Sequence, residues 1–228
     1  MMPSKMTSLS VFTPQSPPVV NRWIVMANIA SPEKIARRRQ DILDAAIDIF
    51  AEKGFHASGI ADIATRLGIG HGTVYRYYKN KRDIFNEILN LLLSEMSTVV
   101  QQDPPNTNSL AEYQQQLERI ADRLIAIFRE RPQLARIAFY ESYGVDADIS
   151  DAVNRIQELF AEFTAYYLQN GISKAFLRSE MNTAIAAQLV TAMLMETVKH
   201  VALNDFSDEQ IEPWRHEIIR LMIGGLSR

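Results

Sequence analysis

Between Ile42 and Tyr78, glycine cuts the chain into apolar stripes too short to fold alone. Ile42, Ala45, Ala46, Ile49 and Phe50 recur at i, i+3, i+4, i+7 and i+8, the pattern of a half-buried helix. Gly54 follows, where a left-handed C-terminal residue belongs. Ser58, a good N-cap, precedes a second stripe of Ile60, Ile63, Ala64 and Leu67, which Gly68 stops. Only Gly68-Ile69-Gly70 separates this stripe from His71 to Tyr78, a stretch too short to be a stable helix without neighbours. Asn80 is placed to cap a fourth helix, in which Ile84, Ile88, Leu91 and Leu92 repeat at helical spacing. Four such helices have to bury their faces on one another, so a compact first domain is expected.

Downstream the pattern stays helical. Asp103-Pro104-Pro105-Asn106 breaks the chain, and Leu110, Tyr113, Leu117, Ile120, Leu124 and Ile127 then form one stripe that Arg131-Pro132 interrupts. Residues 132–143 fit a shorter helix ended by Gly144. Val153, Ile156, Phe160, Phe163 and Tyr167 mark another, ended near Asn170-Gly171. The apolar stretch Ala184 to Leu203 follows, and Trp214, Ile218, Met222 and Leu226 mark a last helix after Pro213. No run alternates as strands do between turns. The expected fold is all-α.

Residues 1–32 hold five of the nine prolines and no periodicity, so a flexible arm is expected there. Met26 opens Met-Ala-Asn-Ile-Ala directly ahead of the first regular segment and is a candidate natural start.

Composition removes several classes of function. Of the 228 residues, 47% are apolar and 22% charged, the balance of a folded soluble protein. The absence of cysteine excludes disulfides, thiolate metal sites and cysteine nucleophiles. No two of His56, His71, His200 and His216 share a helical face with a carboxylate, so neither a metal nor a cofactor is expected. Ala184 to Leu203 has the length of a membrane span, but Gln188, Glu196, Lys199 and His200 interrupt it, and it reads as a buried helix. With no secretory signal evident, a cytoplasmic protein without membrane contact is expected.

The segment Arg37 to Leu89 carries a longer pattern: Ile42-Leu43-Asp44-Ala45-Ala46 with Phe50, Lys53-Gly54-Phe55, Ser58, Ile60 and Asp62-Ile63-Ala64. It continues with Leu67-Gly68-Ile69, Gly72-Thr73-Val74-Tyr75, Tyr77-Tyr78 and Lys81. In order, spacing and residue type this resembles the DNA-binding domain of the TetR (TetR/AcrR) family of transcriptional regulators. A helix-turn-helix needs two short helices, a tight turn and a second helix free to enter the major groove, and Gly68 supplies the turn. Residues 34–82 carry ten Lys or Arg against five Asp or Glu, while the whole chain is at −3, so the positive charge gathers where phosphate would be met.

The resemblance implies roles residue by residue. Ser58 caps the second helix and touches phosphate, and Tyr77 and Lys81 are further backbone contacts, which position the protein without reading sequence. His71, Gly72, Thr73 and Arg76 occupy base-reading positions, with Tyr75 between base contact and packing. Arg76 is the most specific of them, because a guanidinium pairs bidentately with a guanine edge. Gly59 and Gly70 stand where family members often carry Ser or Thr, and Tyr78 where Phe is usual. Arg37, Arg38 and Arg39 fit either a solvated helix end or an arm into the minor groove.

The same resemblance implies the division of the chain: the arm over 1–32, a helix-turn-helix DNA-binding domain over 33–82, and an effector-binding and dimerisation domain over 83–228. The last two helices would form a four-helix bundle with those of a second copy. The homodimer would read a pseudo-palindromic double-stranded operator with its heads about 34–36 Å apart. The other helices would enclose a small-molecule effector, with Phe128, Arg136, Phe139, Tyr140, Tyr143, Phe163, Tyr167 and Met193 as candidate lining. Arg136, Glu141 or His200 is a candidate polar anchor. Aromatic residues at this spacing are more often plain core, and only some of them can line a cavity.

An apolar or aromatic effector that shifts the helix from Lys81 to about Val100 and releases DNA makes the chain a ligand-responsive repressor. No nucleophile with its base and no phosphate loop appears, so no enzyme is expected. A DNA-binding architectural protein would lack a large cavity. An activator would share every feature above.

Overall fold

A computed structural model describes residues 31–204 and 206–227. The candidate arm and Met26 lie outside the described residues, apart from Ser31 and Pro32. The compact unit begins at Arg38. Among the described residues the fold is helical: α1 Pro32–Lys53, α2 Ile60–Leu67, α3 His71–Tyr75, α4 Lys81–Gln102, α5 Leu110–Glu130, α6 Pro132–Arg136, α7 Ala147–Ser173, α8 Thr183–Leu203 and α9 Asp208–Leu226. Among the described residues the one β contact is an isolated antiparallel bridge between Leu177 and Ser227. No described helix is long and apolar enough to cross a membrane.

The short helices are set by their ends. Gly54 and Gly68 both adopt the left-handed conformation expected of them, with φ of 80° and 63°. Asn80 accepts from Asp83 N at 2.9 Å while Asp83 accepts from Lys79 N at 3.1 Å, a reciprocal cap that starts α4. One apolar cluster runs from Ile42 and Phe50 through Ile84, Phe85 and Ile88 to Leu124, Leu134, Ile149 and Val198. A smaller one, around Tyr113, Leu168, Leu177 and Ile219, closes the far end of the bundle. The expected domain boundary at 82/83 falls inside α4, which carries residues of the first cluster along most of its length.

Four local expectations need correction. Gly59, not Ser58, is the N-cap of α2: its N–H donates to Asp62 Oδ2 at 2.8 Å, and Ser58 is turned inward. Residues 132–143 are not one helix, since α6 passes into a π-helical turn over Ile137–Glu141. The helix α7 does not end at Asn170-Gly171 but runs through it to Ser173. Gly171 is required by close approach, because a Cβ there would lie 2.4 Å from Leu177 Cδ1. Finally, α9 starts at Asp208, ahead of Pro213, where Ser207 N donates to Gln210 Oε1 at 3.0 Å.

Candidate nucleic-acid interface and effector cavity

The helix α3 has five residues and depends on its neighbours for its shape. Val74 and Tyr78 anchor it, 0% and 3% exposed, and Thr73 N bonds to Gly70 O at 2.8 Å. The anchors turn the other face outward: His71, Gly72, Tyr75 and Arg76 are exposed and Thr73 is half-buried. Tyr75, whose role was open between contact and packing, is 57% exposed. Tyr77 is half-buried beside it. The five base-reading candidates therefore share one short helix and its cap.

Tyr78 is core. Burial raises its hydroxyl well above the usual tyrosine range, with the Glu87 carboxylate adding to the effect. Its ring carries the Arg39 guanidinium 4.6 Å from the centroid, and Arg39 forks onto Glu87. That fork holds Arg39 even more firmly protonated than usual. Arg38 lies 3.4 Å from Asp41. Both arginines are helical residues of α1, with carboxylate partners of their own.

Net charge hides how the cations are used. Between residues 38 and 82, Lys53 pairs with Asp62, Arg66 with Glu52 and Asp48, and Arg82 with Asp146 and Asp148. Lys81 donates to three backbone carbonyls. Among the described residues of this stretch only Arg76 and Lys79 have neither a carboxylate nor a carbonyl partner. Both are exposed, Arg76 as the C-cap of α3 and Lys79 directly ahead of the Asn80 cap of α4. Lys79 was missed in the sequence; the signal was its place between buried Tyr78 and the Asn80 cap.

Of the candidate phosphate contacts, Ser58 is 5% exposed and its hydroxyl donates to Phe55 O at 2.9 Å. Tyr77 stays beside α3, and Lys81 is turned toward the loop between α1 and α2.

On the other side of α4 lies a cavity of about 700 Å³. Leu89, Leu92 and Met96 of α4, Phe128 of α5, Ala138 and Phe139 of the π-turn, and Val153, Ile156 and Phe160 of α7 supply its apolar wall. Gln157, Gln188, Thr191, Glu196 and Lys199 supply polar groups. Tyr143 lines it too, accepting from Gln157 Nε2 at 2.6 Å. Lys199 pairs with Glu196 at 2.5 Å, which raises the lysine above its ordinary value.

Of the candidate lining residues, Phe128, Phe139 and Tyr143 meet at this cavity. Arg136, Tyr140, Phe163, Tyr167 and Met193 are not among the residues around it. Arg136 points toward Glu141 at 3.8 Å, Tyr140 is 57% exposed, and Phe163 packs edge-on against Phe160. Tyr167 donates to Asp103 O at 2.6 Å and burial pushes its hydroxyl up to about 12, while Met193 faces outward. Of the candidate anchors, His200 packs at a tilt against Trp214 with ring centroids 4.2 Å apart, and Glu141 lies against Gly54. The polar groups that line the cavity include Gln188, Glu196 and Lys199, three residues that interrupt the apolar run of α8. Their spacing of eight and three places them on one helical face, and that was the available signal.

Comparison with known proteins agrees with this geometry. Residues 42–88 match the family model of bacterial regulatory proteins, tetR family. The fatty acid metabolism regulator protein of Bacillus subtilis is 23% identical over 185 residues, covering 81% of this chain and 93% of that protein. The transcriptional repressor BepR of Brucella suis is 25% identical over 168 residues, 70% of this chain and 78% of its own. Among solved structures, the fatty acid degradation regulator FadR of Bacillus halodurans superposes with a TM-score of 0.71 at 21% identity, covering 88% of this chain and all of that one. The FadR of Bacillus subtilis in complex with stearoyl-CoA gives 0.66 at 22%, covering 82% and 98%. These structural likenesses show a shared fold.

Proposed function

This chain belongs to the TetR family of bacterial regulatory proteins, and on that premise we propose that it is a cytoplasmic homodimeric repressor released from its operator by a fatty-acyl thioester. It is a DNA-binding transcriptional regulator and not an enzyme. The observation that carries the effector-release reading is that α4 serves two structures at once. Ile84 and Phe85 belong to the core under α2 and α3, while Leu89, Leu92 and Met96 form a wall of the cavity.

A molecule that fills the cavity pushes on the same rod that holds the reading helix. Coupling of this kind is typically about 1–3 kcal/mol. The cavity lies within the size range of small-ligand sites and has mostly apolar walls with a few polar groups, as a long acyl chain with a polar head requires. The likeness to fatty-acid regulators supports that class of effector.

Reading then falls to His71, Gly72, Thr73, Tyr75 and Arg76, with Tyr77 and Lys79 on phosphate. Residues 33–82 are the reading head, and 83–228 carry effector and dimer contacts. Ile185, Leu189 and Met193 are exposed at four-residue steps on α8, and Trp214 and Leu221 at a seven-residue step on α9. Such stripes suit a four-helix bundle with a second copy. Leu189→Glu should convert a dimer to a monomer in sedimentation.

The test is selection of bound duplexes from random DNA, followed by titration of stearoyl-CoA into the complex. A pseudo-palindrome released by micromolar stearoyl-CoA is expected. Failure to enrich any sequence would sink the DNA-reading role, and an enriched operator indifferent to acyl-CoA would sink only the effector class.

A further inference from the structure

We infer that Lys81 is a positioning residue, fastening the loop ahead of α2 to the start of α4, and that the phosphate contact at this corner belongs to Lys79. Lys81 Nζ donates to the carbonyls of Phe55 at 2.7 Å, Ser58 at 2.9 Å and His56 at 3.3 Å. An ammonium has three N–H groups and no acceptor, so three carbonyls exhaust it. The Phe55 ring covers a further side, 4.4 Å from Nζ to the ring centroid. A phosphate oxygen reaching Nζ would have to displace a carbonyl, leaving that carbonyl in need of another donor.

The loop so held leads directly into α2, the first helix of the helix-turn-helix, and Phe55 is packed against Phe50 and Phe85. Ser58 Oγ adds a second donor to Phe55 O, and a carbonyl can accept two. Loop and α4 therefore move as one piece, with Lys81 as the fastener. Lys79 differs in every respect. It is exposed, its ammonium has no acceptor among the described residues, and it lies in the short connection between α3 and α4, three residues after Arg76.

The role of Lys79 rests on the DNA-binding reading; the tie at Lys81 does not. Competitive acylation of the lysines in the free full-length protein tests the tie first. Lys81 should react at least about ten-fold more slowly than Lys79, as an ammonium with all three hydrogens engaged does. Equal rates at the two overturn the proposal whatever happens with DNA.

Lys81→Met and Lys79→Met are then compared for affinity to a mixed-sequence duplex at stepped salt concentrations. Lys79→Met should flatten the slope of log K against log salt by about 0.9, the value of one phosphate. Lys81→Met should keep the wild-type slope and weaken binding about ten-fold at every salt concentration. It should also speed amide exchange at residues 55–59 while α5 and α9 stay protected. A slope flattened by Lys81→Met and not by Lys79→Met overturns the assignment. If the wild type binds no DNA, the regulator reading fails while the acylation result still decides the tie.

Discussion

The reading head and the effector half treat buried polarity in opposite ways. In residues 38–82 Ser58 is, beside Tyr78, the one buried polar residue, and Phe50 and Phe55 pack with Phe85 of α4 in tilted and edge-on contacts with centroids 5.1 to 5.7 Å apart. The effector half buries Asp103, Thr107, Gln116, Ser142, Thr191 and Thr197. Asp103 accepts from Arg119, Arg123 and Gln116, and its backbone carbonyl accepts from Tyr167. An apolar aromatic core has one good packing and suits a part that must present fixed side chains. Of these buried polar residues only Thr191 lines the cavity; the Asp103 network lies outside it and ties α5 and α7 to the end of α4 through directional bonds.

The comparison breaks most sharply at Phe50. Phe50→Ala should lower stability by about 3–5 kcal/mol, and because α1 and α4 share one core the loss should appear in a single denaturation transition. Two separated transitions would show that the head is held independently.

Next is Asp103→Asn, expected to remove about 1.5–3 kcal/mol by weakening its charge-assisted bonds. The Arg119 guanidinium first, with Gln116 and Arg123 also contributing, holds the Asp103 carboxyl below its ordinary value of 3.8. Its stabilisation is therefore complete above that value and is lost as pH falls through the lowered folded value. Denaturation curves should show a constant difference between wild type and variant from about pH 5 upward, shrinking below about pH 3.8.

Arg76→Ala should forfeit about 1–3 kcal/mol of discrimination between operator and random duplex, read by competition binding, with the melting temperature unchanged. A melting shift would place Arg76 in the fold instead of the interface. The smallest effect belongs to His56→Ala, which removes the 2.9 Å contact of Nε2 with Gly144 O at an exposed site. It should cost less than about 1 kcal/mol in unfolding experiments.

The head was legible in sequence because its instructions are local. Gly54, Gly68 and Asn80 each act through one or two hydrogen bonds to near neighbours, and residue type alone announces them. Ser58 misled because it is a strong N-cap by type, whereas the hydroxyl turned back to Phe55 and left the cap to Gly59. Pro213 misled in the same way: Ser207 and Gln210 already form a capping box upstream, and α9 tolerates the ring in its second turn.

The effector half was legible as helices and stripes but not as a site. Periodicity tells which face is buried, not whether the partner across from it is a side chain or a cavity. Phe128 and Tyr167 read alike in sequence, yet one lines the cavity and the other closes a hydrogen bond to Asp103. Nothing in the residue types of Ile137–Glu141 marks a π-helical turn.

That turn accommodates one residue more than an α-helix of the same rise, and it is the place where chain length itself becomes a control variable. Its one side gives Ala138 and Phe139 to the cavity, and at its end Glu141 rests against Gly54. Deleting a single residue here would restore α-helical geometry, and because the wide turn absorbs the extra residue locally, the change would fall on Ala138, Phe139 and Glu141 themselves. The cavity wall and the contact with the head would then no longer point in matching directions. The number of residues between Pro132 and Gly144 thus sets together where the cavity wall and the Glu141–Gly54 contact lie.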